Sequence, residues 1–174
     1  YGLLPKPHFY TKNLSIVKNG KEIGNTEILK VFIGLKNLFS IDNISMKDLI
    51  FYKTEFNLYS EDLIFFQNLL KIEPNENEIK FKKSNIFLRN NNDELLFIHK
   101  INNSRFYYDS KNLQNVLTSN SEIFNVPIKI NVKNDKFNKK FFTKFNSKKI
   151  RLDIENITNY EKENKNGLLD ILFI

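Results

Sequence analysis

Apolar and polar residues alternate with a period of two along most of the chain. In one clear example Ile50, Tyr52, Thr54, Phe56 and Leu58 fall on the same side of an extended segment. Such alternation predicts a β-strand with one apolar and one solvated face. The pattern recurs in HFYTKNLSIVK, NTEILKVFIG, EIKFKKSNIFLR, ELLFIHKI, NVPIKINVKN and IRLDIENI. Repeated half-apolar strands predict a mainly β fold.

Turn and helix signals separate these strands. Asn19 and Gly20 predict a tight hairpin, because both central residues of a type I′ turn need a positive φ. Between Ser60, a good N-cap, and Pro74, the period changes and predicts an amphipathic helix. The residues at helical spacing are Leu63, Phe66, Leu69 and Leu70. The stretch SKNLQNVLTSN fits either a short helix or a loop.

These elements predict an antiparallel sheet with one or two short amphipathic helices, in a single domain of 174 residues. One face of such a sheet is apolar and the other is wet. Either a second sheet or the helix covers the apolar face, or that face curls around something apolar that is not protein. Alternation alone leaves both possibilities open.

The charge of the chain is a weak guide to its partner. A net charge of +7 and an isoelectric point near 9.4 are typical of proteins that bind nucleic acid or anionic membranes. The chain has no alanine, cysteine or tryptophan, and it is rich in lysine, asparagine, isoleucine and phenylalanine. These amino acids have AT-rich codons, so much of the lysine excess reflects genome composition. Absence of cysteine leaves the redox compartment open, and no apolar stretch is long enough for a transmembrane helix.

Few residues are suited to catalysis or metal binding. His8 and His99 are the only histidines, and without cysteine they do not make a zinc site. The acidic pairs at 61–62 and 93–94 fall at a helix start and in a loop, where carboxylates stabilise the helix end or solvate a turn. The five glycines form no phosphate-binding loop. The sequence therefore predicts a protein that is not an enzyme and holds no metal or cofactor.

The segment from Lys136 to Lys149 mixes phenylalanine with lysine. Phe141, Phe142 and Phe145 could stack on bases while the lysines contact phosphates. No RNA-recognition or OB-fold signature accompanies them, so a hairpin with a solvated lysine face is favoured over nucleic-acid binding. Contact of the lysines with anionic lipid head groups is a third interpretation.

A family resemblance covers the first part of the chain, from Gly2 to about Ile101. The segment GLLPKPHFYTKNLSIVKNGKEIGNTEILKVFIGLKNLFSIDNISMKDLIFYKTEFNLYSEDLIFFQNLL resembles the amino-terminal region of AsmA-like proteins of bacterial envelopes. The shared features are a Gly and Pro-x-Pro opening, a strand ending in a turn, a strand leading into IGLKNLFS, and then IDNISMKDLIFY. The later IKFKKSNIFLRNNNDELLFIHKINN resembles the next repeat of that family.

The resemblance implies that the sheet curls into an open apolar groove. AsmA-like proteins, with TamB, are related to bridge-like lipid-transfer proteins, in which repeated strands form a groove that is apolar inside and polar outside. Phospholipid acyl chains would lie along the inner face, and the helix would cap one end. The lining residues expected on this basis are Leu29, Val31, Ile33, Ile50, Tyr52, Phe56, Leu58, Val126, Ile128, Ile130, Val132, Ile150, Leu152 and Ile154.

The resemblance also implies a function and a location. The chain is expected to be a fragment of a longer periplasmic protein, with N-terminal strands and a helix in 1–73 and repeated strand hairpins in 77–174. Such a protein would move phospholipid between the inner and outer membranes of a Gram-negative envelope, in outer-membrane biogenesis. A segment missing from this fragment would anchor it in the inner membrane, and the last strand would pair with the remaining repeats. The alternatives are a structural or adhesive β domain without ligand, and nucleic-acid binding through the Lys/Phe-rich hairpin.

Overall fold

The computed structural model describes residues 6–34, 46–62, 77–161 and 164–173. Ten strands account for most of them, so the predicted mainly β class is confirmed. The strands are β1 His8–Lys18, β2 Lys21–Ile33, β3 Met46–Tyr59, β4 Glu78–Arg89, β5 Leu95–Asp109, β6 Gln114–Ile123, β7 Val126–Asp135, β8 Lys140–Ser147, β9 Leu152–Glu161 and β10 Asn164–Phe173. All of them belong to one sheet.

The spatial order of the strands follows their order in the sequence, from β1 at one edge to β10 at the other. The predicted hairpin at Asn19 and Gly20 joins β1 to β2, and both residues have the positive φ that the turn needs, 50° and 80°. The prediction of an antiparallel sheet is wrong at one place, because β3 and β4 pair in parallel. All the other pairs of neighbouring strands are antiparallel. The sheet is therefore mixed.

The predicted helix falls mostly on residues 63–76, which lie outside the described residues. Its first residues, Ser60–Asp62, form one turn of 3₁₀ helix. The ambiguous segment from 110 to 120 is neither a helix nor a loop throughout, because a turn at 110–113 leads directly into β6.

The strand registers define two faces, since residues opposite one another in neighbouring strands point to the same side. Two rows cross all ten strands on one side, which we call the apolar face. The first row is Thr11, Leu29, Phe51, Phe81, Ser104, Ser119, Ile130, Phe145, Ile154 and Ile171, and the second is Phe9, Val31, Leu49, Ile79, Phe106, Leu117, Val132, Thr143, Asn156 and Leu169.

The opposite side, which we call the polar face, also has a row through all ten strands. Its members are Tyr10, Lys30, Ile50, Lys80, Arg105, Thr118, Asn131, Lys144, Glu155 and Asp170. Eight of the ten carry a charged group, an amide group or a threonine hydroxyl, so this side is suited to water. The sheet therefore has the predicted difference in polarity between its faces.

A line of backbone irregularities crosses β1–β5. Asn13, Lys53 and Lys83 have positive φ angles of 52°, 51° and 51°. In β5 the register shifts between Ile101 and Asn103. Because these positions align across neighbouring strands, they form one continuous feature rather than separate defects.

This line reverses the alternation within the strands that it crosses. In β3, Phe51 belongs to the first row of the apolar face. Phe56 belongs to a different row, which ends at Val126 in β7. Val126 lies four residues before Ile130 in this regular strand, so Phe56 is on the apolar face too. Two residues five positions apart thus share a face, which an uninterrupted strand does not allow. Ile50 lies between Lys30 and Lys80 on the polar face. The expectation that Ile50 and Tyr52 share a side with Phe56 is therefore wrong.

The line is also a sharp crease that brings the two halves of the apolar face together. Five residues of extended strand span about 16 Å. Phe81 lies opposite Phe51, and their rings stack with 5.0 Å between centroids. The ring of Phe81 nevertheless also contacts the ring of Phe56 edge-on, with 5.7 Å between centroids. The sheet is consequently folded toward its apolar side.

Small hydroxyl residues occupy the inside of the crease. Thr26, Thr54 and Ser84 are almost fully buried. Thr54 Oγ1 donates a hydrogen bond to Thr26 Oγ1 at 2.9 Å, and the Thr54 amide donates to Ser84 Oγ at 3.1 Å. These bonds satisfy polar atoms at a position where larger side chains would prevent the sheet from folding.

A compact apolar cluster lies beside the crease. Its buried members are Ile23, Phe56, Leu58 and Leu88. Gly24 is needed here, because a Cβ atom on it would stand 2.6 Å from the Glu55 carbonyl oxygen and 3.0 Å from the ring of Phe56. The partly buried Phe81, Ile86 and Phe97 pack against this cluster.

A pair of substitutions at Lys83 tests the positive φ. In an ordinary strand valine is more favourable than glycine, but a β-branched residue is strained at a φ of 51° and glycine is not. Lys83→Gly is expected to raise the free energy of unfolding by about 0.5 kcal/mol and Lys83→Val to lower it by about 1–2 kcal/mol. Urea denaturation measures both, and a more stable valine variant would contradict the assigned backbone.

A buried carboxylate ties the 3₁₀ turn to the first hairpin. Asp62 accepts hydrogen bonds from Lys18 Nζ at 2.7 Å and from the Tyr59 amide at 3.0 Å. Burial acts to raise the pKa of Asp62, but these hydrogen bonds outweigh it and hold the pKa below its usual range. Asp62 is therefore ionised at neutral pH.

Asp62→Asn is expected to lower the free energy of unfolding at pH 7 by about 1–2 kcal/mol, because the ion pair with Lys18 is lost. A carboxyl whose pKa is lowered by folding stabilises the protein above about pH 4, and this contribution disappears as the pH falls through the folded-state pKa. Thermal melts of both proteins between pH 7 and pH 3 should therefore converge at acid pH. A constant difference over this range would show that the charge of Asp62 does not contribute.

Candidate functional site

The apolar face is the candidate site, and it contains most of the predicted lining residues. Those that the register places on it are Leu29, Val31, Phe56, Leu58, Val126, Ile128, Ile130, Val132, Leu152 and Ile154. They come from four strands, β2, β3, β7 and β9, and they share one face because each strand pairs with its neighbours in register. The face is thus assembled from residues that the alternation identifies correctly in most strands.

Three predicted residues lie elsewhere, and a fourth, Ile33, lies at the end of its strand. Ile50 and Tyr52 are on the polar face, as the reversal at Lys53 requires. Ile150 is in the turn at 148–151 rather than in β9, and it is about half exposed. Ile33 lies beyond a register shift at the end of β2, where it pairs with Met46 and is buried.

Several residues of the apolar face escape the sequence prediction, chiefly Phe51, Phe81, Phe106, Phe145 and Ile171. A signal for those near the crease exists in the sequence. Pairs of consecutive polar residues, at 12–13, 82–83 and 102–103, interrupt the alternation where the backbone is irregular. If the alternation of apolar and polar residues is treated separately on each side of such a pair, Phe81 and Phe106 are assigned to the apolar face.

Exposure increases along the apolar face from the crease toward β10. Leu58 is 1% exposed at the crease, whereas Phe145 in β8 is 36% exposed and Ile171 in β10 is 51% exposed. Phe173, at the end of β10, reaches 83%. Apolar surface is therefore available on the part of the face formed by β8–β10.

The centre of the apolar face carries small hydroxyl residues. Ser104 and Ser119 pair directly, and Ser121 follows on β6, so three serines lie between the aromatic residues of β4 and the aliphatic residues of β7. All three are buried. The centre of the face therefore carries small polar side chains rather than large apolar ones.

His99 also points to the apolar face, in the row that contains Phe56 and Ile86. Burial lowers the pKa of His99, so the imidazole is neutral at pH 7. Its Nε2 atom is buried and has no hydrogen-bond partner among the described residues. A neutral imidazole adds little polarity, which is compatible with an apolar surface.

Several charged residues on the polar face are paired with one another. Burial acts to raise the pKa of Glu78, but hydrogen bonds from Lys80 and Arg105 outweigh it and keep the pKa below its usual range. The hydrogen bond to Glu155, with a second one to Asp153, raises the pKa of Lys144. These groups are charged at neutral pH and hold one another in place, so none is poised to exchange a proton.

A shallow cleft of about 370 Å³ lies beside Lys144, and Asn103, Asn120, Lys129 and Asn146 contribute to its walls. Amide groups and lysines line it together with Thr118, Ser119 and Ile130.

Within the described ranges there is no cluster of three or more histidine, cysteine, aspartate or glutamate side chains that could hold a metal ion. The described residues also include no helix with the length and apolar character needed to cross a bilayer. The chain matches no protein-family model and no curated protein sequence.

Proposed function

We propose that this chain is a non-enzymatic lipid-binding wall, whose apolar face shields phospholipid acyl chains from water in a groove formed by the folded sheet. One observation carries the proposal. Two mainly apolar rows cross all ten strands on the same side, and in the described part of the chain each strand packs chiefly against its neighbours in the sheet, without a second layer. A face of this kind needs an apolar partner.

The crease gives the face a suitable shape. Because the sheet folds toward its apolar side, residues of β3 and β4 on either side of the crease approach each other, as Phe56 and Phe81 do. An acyl chain lying along the rows from the crease toward β10 would contact Ile130, Phe145 and Ile171 in turn. Each methylene group that leaves water in this way contributes about 0.8 kcal/mol.

The resemblance to AsmA-like proteins supplies the biological part of the proposal. Phospholipid would move along the groove between the inner and outer membranes of a Gram-negative envelope, with head groups at the wet mouth. The partners would be the two membranes and further repeats of the same chain, which would continue the sheet beside β10. No chemical step is required, because transport needs only a continuous apolar path.

Mass spectrometry of an organic extract of the gently purified protein tests the proposal. Phospholipid in a stoichiometric amount is the expected result. Protein that is folded, free of lipid and unable to take up added phospholipid would show that the chain closes its own apolar face. A structural or adhesive role would then replace lipid binding.

A further inference from the structure

We propose that the turns at 124–125 and 148–151 form an attachment site for an anionic lipid bilayer. These two turns join β6 to β7 and β8 to β9, and they lie side by side, since Lys149 Nζ donates a hydrogen bond to the Asn125 carbonyl oxygen at 3.0 Å. We call them the tip. The inference goes beyond lipid binding by the apolar face, because a bilayer would be held here whether or not the groove is loaded.

The first observation is an aromatic ring in an unusual backbone position. Phe124 and Asn125 have φ angles of 50° and 60° and fill the two central positions of the hairpin turn. Asparagine and glycine are the residues favoured there, and a bulky residue at positive φ is uncommon. Phe124 is nevertheless 74% exposed, with one edge against the ring of Phe97 at 6.2 Å between centroids. Folding gains little from this ring, so a role in contacting something else explains it better.

The second observation is the charge around the ring. Lys148, Lys149 and Arg151 are exposed in the neighbouring turn together with Ile150, and neither turn contains an acidic residue. Asp93 and Glu94 lie in a separate turn at 90–94, where they contact Arg89 and Asn90. The tip thus combines two exposed apolar side chains with three cations.

This combination fits a bilayer with anionic head groups. Aromatic and aliphatic side chains enter the boundary between head groups and acyl chains, while lysine and arginine remain at the level of the phosphates. Single-stranded nucleic acid also attracts lysine, but it needs aromatic platforms for stacking, and Ile150 cannot serve as one. The aliphatic neighbour therefore favours lipid.

The opposite end of the sheet provides a comparison with similar side chains. There Phe137 is 80% exposed and lies in the same turn as Lys139, but Asp109 and Asp135 end the strands that lead into the described turns at 110–113 and 136–139. Hydrogen bonds from Asn112 lower the pKa of Asp109, and those from Asn138 lower the pKa of Asp135. Both carboxylates are ionised at neutral pH, and anionic lipid repels them.

Flotation with vesicles tests the proposal, using phosphatidylcholine containing 30% phosphatidylglycerol, or phosphatidylcholine alone. The parent chain should bind the anionic vesicles and lose affinity in high salt. Removing the three tip cations, with Lys148, Lys149 and Arg151 changed to Gln, should weaken binding about a hundredfold, since each basic residue contributes about fivefold. Removing Lys12, Lys82 and Lys129 from the strands in the same way gives the same net charge and should weaken binding far less.

The apolar half of the tip has its own variant. Phe124→Asn with Ile150→Asn should reduce vesicle binding about tenfold or more. Asparagine suits the positive φ at 124, so the thermal midpoint should stay the same or rise. Phe137→Ser at the opposite end should leave vesicle binding unchanged.

Three results would overturn the proposal: tip variants that bind like the parent, equal binding to vesicles without phosphatidylglycerol, or binding to an oligonucleotide but not to vesicles. Lipid extraction from the Phe124→Asn and Ile150→Asn variant separates this site from the groove. Retained phospholipid with lost vesicle binding would confirm that the two functions are distinct, whereas loss of both would assign the tip to lipid loading and contradict a separate attachment site.

Discussion

Replacing Val31 and Ile130 together with aspartate is expected to abolish phospholipid loading while the sheet stays folded. Val31 in β2 and Ile130 in β7 lie on the two rows of the apolar face, and both are only partly buried by the chain itself. A carboxylate in contact with an acyl chain loses its hydration without gaining a partner, which costs more than the contact stabilises. Lipid extraction and mass spectrometry of the double variant measure the loss.

The same two strands offer a matched control. Ile28 and Asn131 point to the polar face, so Ile28→Asp with Asn131→Asp adds the same two charges on the other side of the sheet. This control should load lipid like the parent chain. Equal loading by both double variants, with both folded by circular dichroism, would rule out the apolar face as the lipid-binding surface. Equal loss in both would indicate that charge alone disturbs the protein.

Leu58→Ala is expected to lower the free energy of unfolding by about 2–5 kcal/mol. Leu58 is 1% exposed and packs with Ile23, Phe56 and Leu88 beside the crease. Truncation removes buried methyl groups and leaves a cavity between the two halves of the folded sheet. Because domains are stable by only about 5–15 kcal/mol, this single change should be conspicuous in a urea titration.

Leu96→Ala is the control for that measurement. Leu96 is in β5 and is 48% exposed, so its truncation should cost less than about 0.5 kcal/mol. If Leu58→Ala lowers the free energy of unfolding by less than about 1 kcal/mol, the assigned packing at the crease is contradicted, because truncating a fully buried leucine costs more than this.

Strand positions and the first hairpin could be predicted from the sequence with good accuracy. The alternation of Val126, Ile128, Ile130 and Val132 identifies both the strand and its apolar side, because β7 has no irregularity. The turn at Asn19 and Gly20 could be predicted because its backbone demands those residue types. In each case the local structure requires particular residue types, and those types are present in the sequence.

The crease and the parallel pair could not be predicted in this way. Lys53 and Lys83 adopt positive φ although lysine has no preference for it, so the residue type gives no warning. The bend is instead accompanied by packing between strands, such as that of Phe56 against Phe81. Alternation likewise assigns faces but not neighbours, so it gives no indication that β3 and β4 pair in parallel.

The sequential strand order has a consequence for how such a chain can change in evolution. Each strand after β4 depends chiefly on the strand before it and the strand after it, so stability accumulates by nearest-neighbour terms, much as in repeat proteins. Inserting or deleting one hairpin in this region leaves every other pairing intact and changes the width of the sheet by about 10 Å. Each gene segment that encodes one hairpin therefore adds a fixed increment to the width of the sheet. Selection could adjust the distance such a sheet spans by duplicating or losing them, without designing a new core.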